Sequence, residues 1–100
     1  IGMEFQILGD AGEAPHKNGT GSIYDVRPPG ANASRPAGEW NDVEISCDGT
    51  HLRAVLNGTL IHDFDLDSEP ELRNRLREGF IMLQDHGHPV RFRNIRIKPL

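Results

Sequence analysis

The dipeptide Asn57-Gly58 constrains this 100-residue chain more than any other feature. It separates two short β-type runs, Leu52-Arg-Ala-Val-Leu56 and Thr59-Leu-Ile-His-Asp-Phe64. A type I′ turn needs positive φ at both central positions, and Asn-Gly meets that need with little strain. A β-hairpin is therefore predicted here. Just before it, Asp42 to Cys47 alternates apolar and polar residues, with Val43, Ile45 and Cys47 expected inward, and Asp48-Gly49 marks the turn between. Three consecutive strands make an antiparallel start.

The rest of the chain reads the same way. Met3-Glu-Phe-Gln-Ile7 alternates, with Glu4 and Gln6 on its second face. Gly9 to Thr20 is a polar, Gly-rich loop, and Ser22 to Val26 is a short strand closed by Pro28-Pro29-Gly30. The polar stretch on to Gly38 is too long for a turn, and loops of that length often border a site. One short helix is predicted over residues 69–77, with Ser68 and Glu71 as a capping box and Gly79 as its stop. Closing strands are expected over 80–86 and 90–98, the second with a bulge at Arg93-Asn94 so that Phe92, Ile95 and Ile97 all reach the core. About seven short strands and one minor helix define an all-β chain, an antiparallel β-sandwich.

Composition agrees and excludes several roles. Hydrophobic residues make up 36%, with seven prolines and eleven glycines, which suits a loop-rich β protein better than a helical bundle. The net charge of -4 gives nucleic acid no electrostatic footprint. Arg91, Arg93, Arg96 and Lys98 fall in two phases of one strand and read as solvated edges rather than a basic patch. No apolar run reaches membrane-spanning length. Cys47 has no cysteine to pair with and reads as a small buried residue. His51 and His62 read as surface residues. The opening Ile1-Gly2-Met3 already lies in a strand-like run, so residues 1–100 are expected to be a single domain truncated at its N-terminus.

Five segments carry a family resemblance. They are Glu4-Phe-Gln-Ile-Leu-Gly-Asp10, Pro36-Ala-Gly-Glu-Trp-Asn41, Val55-Leu-Asn-Gly58, Leu83-Gln-Asp-His-Gly87 and Val90-Arg-Phe-Arg-Asn-Ile-Arg-Ile97. In this order they resemble the 3-keto-disaccharide hydrolase domain, of the concanavalin A-like, lectin-like jelly-roll class. The resemblance runs from Gly2 to Leu100 but covers only the C-terminal part of that domain. It implies a jelly-roll β-sandwich, a carbohydrate substrate or ligand, and a bacterial periplasmic or extracellular setting. It also implies that the strands such domains carry further upstream come from elsewhere, either from a second copy in a homodimer or from a partner chain.

Side chains alternate along a strand, so Phe80, Met82, Gln84 and His86 share one face of 80–86. With Glu4 and Gln6, residues Gln84 and His86 would form a polar floor on the concave face of such a sandwich. Sugar hydroxyls need such partners when they leave water. Glu4 and His86 are the candidate catalytic base and acid; Gln6, Tyr24, Gln84, Arg93 and Trp40 are the candidate substrate-binding residues. A non-catalytic carbohydrate-binding module and a structural, oligomerising domain are the alternatives. No cofactor is expected. A divalent cation would need ligands beyond His86-x-His88, for which Asp10, His16 and Asp85 are candidates if the fold gathers them.

Overall fold

The computed structural model describes residues 3–73, 81–84, 87 and 89–100. Its centre is a three-stranded antiparallel sheet in the order β1-β2-β3, formed by β1 (Val43–Asp48), β2 (His51–Leu56) and β3 (Thr59–Asp65). The predicted hairpin is present, with φ of 50° at Asn57 and 81° at Gly58. The Asp48-Gly49 turn is also present, with Gly49 at 59°.

The Asn57 side chain does more than turn the chain. Its amide donates to the Ala33 carbonyl at 2.9 Å and to Asn41 Oδ1 at 2.8 Å, while its own Oδ1 accepts from the Asp42 amide at 2.8 Å. Asn41 Oδ1 also accepts from the Arg35 amide at 2.8 Å. Two of the five signature segments, around Asn41 and Asn57, are thus locked to each other.

Leu52, Ala54 and Leu56 of β2 are buried and meet Ile61 and Phe64 of β3, with Ile23, Leu66 and Leu72 across the same cluster and Phe5, Val26 and Ala33 packed against it. Val43, Ile45 and Cys47 pair with Leu56, Ala54 and Leu52, so they lie on the core face as expected from the alternation. They are nevertheless exposed, Val43 by 47% and Ile45 by 45%. The expected burial of all three, Cys47 included, is corrected: the covering layer spans β2 and β3 and takes nothing from β1. Partial desolvation still raises the Cys47 thiol above its ordinary pKa, which disfavours a reactive thiolate.

His62 is corrected in the opposite sense. Between Ala54↔His62 and Val55↔Leu60 the register shifts by one residue, leaving Ile61 as the extra residue of a β-bulge. The bulge turns both Ile61 and His62 inward and flips the phase of the rest of β3. The Ile61 carbonyl, displaced from the ladder, accepts from the Gly30 amide at 2.9 Å. His51 is exposed as expected, and it pairs with Asp63 on the solvent face.

Outside this sheet the predicted strands shrink. Residues 3–7 and 22–26 touch through a single bridge, Phe5↔Ile23, because Ile23 also bridges Arg27 across a tight turn with Asp25 at φ 61°. The predicted helix is represented by a 3-10 turn, Leu66–Ser68, and α1, Pro70–Arg73; residues 74–77 lie outside the described residues. Ser68 is not its N-cap. Its hydroxyl donates back to the Asp65 carbonyl at 2.6 Å, and Pro70 opens α1 with Glu69 accepting from the Leu72 and Arg73 amides. Of the closing strands, 81–84 and 90–98 pair with no strand among the described residues, and their apolar side chains are exposed, Ile81 by 76% and Ile97 by 72%. Asn94 has a φ of 55°, at the position where the bulge was expected. Among the described residues, no helix is long and apolar enough to cross a membrane.

Candidate functional site

Three of the candidate residues flank one backbone bridge. The Tyr24 amide donates to the Glu4 carbonyl at 2.8 Å and the Gln6 amide to the Ser22 carbonyl at 3.0 Å, on either side of the Phe5↔Ile23 bridge. Phe5 and Ile23 pack at the core, and the pairing sets Glu4, Gln6 and Tyr24 in the alternate phase, while Ser22, opposite Gln6, is itself buried. Glu4 and Gln6 are half-buried and Tyr24 is exposed. Ser22 is fully buried, and its hydroxyl has no hydrogen-bond partner. Gln6 is held by donating its side-chain amide to the Asn18 carbonyl at 3.3 Å.

The loop beside this face is fixed from within. Thr20 Oγ1 accepts from the Leu8 amide at 2.8 Å and donates to the Leu8 carbonyl. Asp10 is buried; its Oδ2 accepts from the Thr20 amide at 3.1 Å, while Oδ1 has no partner. His16 lies close by, since a Cβ on Gly19 would sit 2.8 Å from Asp10 Oδ2 and 3.0 Å from His16 Nε2. The Asn18 amide donates to His16 Nδ1, so the neutral ring carries its proton on Nε2, the nitrogen nearer Asp10. Asp85, the third residue considered as a cation ligand, lies outside the described residues, as does His88. Among the described residues, no group of three or more His, Cys, Asp or Glu side chains is placed to hold a metal ion.

Trp40 and Arg93 form a second pair. The Arg93 guanidinium lies 3.9 Å over the Trp40 ring, a cation–π contact, and the Trp40 carbonyl accepts from Arg35 at 2.7 Å. Gln84 is exposed. His86, the other catalytic candidate, lies outside the described residues. Among the described residues, no hydrogen bond, ion pair or ring contact joins the Trp40–Arg93 pair to the Glu4–Gln6–Tyr24 face.

One cleft went unforeseen in the sequence. It has a volume of about 460 Å³ and is lined by Arg27, Pro28, Pro29, His62 and Glu69 among others. Arg27 donates to Glu69 at 2.7 Å and lies 4.3 Å over the Phe64 ring. His62 Nε2 donates to the Gly21 carbonyl at 2.5 Å, and Nδ1 has no partner. Burial pushes the His62 pKa below its ordinary value; the Gly21 bond opposes this, and the Arg27 charge adds to it. The Pro-Pro-Gly signal at 28–30 marked one wall of this cleft. Nothing in the alternation of β3 announced the bulge that turns His62 inward.

The family described as the 3-keto-alpha-glucoside-1,2-lyase-like domain matches residues 1–98, and the chain belongs to it. It is also similar to a protein of Bacteroides thetaiotaomicron named 3-keto-disaccharide hydrolase, 31% identical over 134 residues. That match takes in 97% of this chain and 43% of the relative, so the chain spans less than half of the curated relative's length. No solved structure matches the chain significantly.

Proposed function

We propose that the chain is part of a hydrolase-type domain that acts on 3-keto-glycosides, and that Glu4, Gln6 and Tyr24 belong to its substrate face. The observation that supports this is the backbone pairing around Phe5↔Ile23, which sets Glu4, Gln6 and Tyr24 in one phase, in a chain of this family. A keto group at C3 acidifies the proton at C2. A base removes that proton, the electron pair moves into an enolate, and the enolate expels the C1 oxygen, which takes a proton from an acid. Water then adds across the resulting double bond, OH to C1 and H to C2. This chemistry needs one base, one acid and donors for the enolate oxygen. It does not need the paired carboxylates of ordinary glycosidases.

Glu4, half-buried on a fixed backbone, is assigned as base or acid, with His86 as its complement. Gln6 and Gln84 orient the sugar, with Trp40 and Arg93 at its edge, and the domain is a jelly-roll sandwich. The test is NMR of 3-keto-trehalose incubated with the parent, Glu4→Gln and His86→Ala. Free sugars should be released by the parent, and each variant should be slower by about 10²–10⁴-fold, the usual contribution of a general acid or base. Full activity in either variant removes that residue from the mechanism.

A second reading is a carbohydrate-binding module that uses the same face without cleavage. Broadened sugar signals without product would select it.

A further inference from the structure

The exposed edge strand β1 and the unpaired segment 90–98 are complementary to each other. β1 has β2 on one side only, and among the described residues no strand pairs with its other edge. Its core face shows Val43, Ile45 and Cys47 to solvent, and the opposite phase carries Asp42, Glu44 and Asp48. Residues 90–98 show the reverse charge. Val90, Phe92, Ile95 and Ile97 are exposed apolar residues, and Arg91, Arg93, Arg96 and Lys98 lie between them. The apolar phase switches from even to odd numbers at Asn94, whose φ of 55° suits the extra residue of a bulge.

Laid antiparallel on β1, this segment has one register that satisfies both phases. Ile97 opposes Val43, Ile95 opposes Ile45 and, past the bulge, Phe92 opposes Cys47. That register sets Lys98 against Asp42, Arg96 against Glu44 and Arg91 against Asp48, three attractive pairs and no repulsive one. Pairing β1 with β1 of a second copy fares worse. With Ile45 facing Ile45, Asp42 meets Asp48, and a shift of two residues sets Glu44 against Glu44 or against Asp48.

The same chain's segment does not take this register in the structure. Arg93 would oppose Ser46 within β1, whereas its guanidinium stands 3.9 Å over the ring of its own Trp40, which precedes that strand. We propose that residues 90–98 of a second copy add to the open edge of β1 as a fourth antiparallel strand. Reciprocal exchange then gives a closed two-fold dimer. The Arg93–Trp40 contact holds each segment away from its own β1 and presents it outward.

The test mixes two variants of the chain, both carrying Cys47→Ser, one with Ile45→Cys and the other with Ile95→Cys. Mild oxidation of the mixture should yield a disulfide-linked dimer well above that formed by either chain alone. Sedimentation of the parent should show a monomer–dimer equilibrium that Glu44→Lys weakens at least tenfold. Mixing Glu44→Lys with Arg96→Glu should partly restore it. Because both charges are exposed, circular dichroism should show these variants folded. A monomer at millimolar concentration, or no excess of the mixed cross-link, overturns the proposal. So does a disulfide within one chain carrying both Ile45→Cys and Ile95→Cys.

Discussion

Asn57 shows how much one residue decides here. Its backbone makes the turn, and its amide ties Ala33, Asn41 and Asp42 to the hairpin. Asn57→Ala removes three hydrogen bonds and strains a left-handed backbone, and should cost roughly 2–3 kcal/mol in chemical denaturation. Asn57→Gly keeps the backbone freedom and should recover part of that loss, which separates the two effects. Gly19 is decided by space instead. A methyl there would press 2.8 Å from the Asp10 carboxylate, which is buried and holds the Thr20 amide, so Gly19→Ala should destabilise by about 1–3 kcal/mol. Thermal melts check this. Asn57-Gly58 was legible in the sequence because a turn's φ requirement is local. The crowding at Gly19 was not, because Asp10 and His16 reach it only through the fold of the loop.

At the scale of elements, β3 departs furthest from its sequence pattern. The extra residue at Ile61 turns His62 into the core, where the neutral ring donates to the Gly21 carbonyl beside the Arg27 charge. The folded pKa lies below the ordinary value of 6.5, so the unfolded chain binds the proton more readily. The stability from neutral His62 is fully present above about pH 6.5 and falls as the pH drops from there toward the folded pKa. Urea midpoints at pH 7.5 and 5.5 should therefore differ, the lower pH being less stable, and His62→Gln should shrink the difference. An equal midpoint shift in parent and variant would assign the effect elsewhere. β1 teaches the converse. Its alternation correctly placed Val43, Ile45 and Cys47 on the core face, yet no alternation reports where the covering layer ends.

For the whole molecule, the open face of β1 and the apolar residues of 81–84 and 90–98 are exposed apolar surfaces of the kind that mark interaction sites. The substrate face proposed at Glu4, Gln6 and Tyr24 rests on one bridge and a braced loop, so activity and assembly are separable measurements. Product release by the parent and cross-linking through β1 address different parts of the chain. Neither result presupposes the other.

The sequence by itself determined the hairpin, the turn at Gly49, the antiparallel β character and the family. These follow from φ preferences, period-two alternation and ordered short segments, all local properties of the chain. Tertiary structure alone decided that His62 is buried, that Val43 and Ile45 are not, and that Trp40 meets Arg93. Those outcomes depend on a register shift, on the reach of a covering layer and on a contact between residues 53 positions apart, and no short window of sequence encodes them.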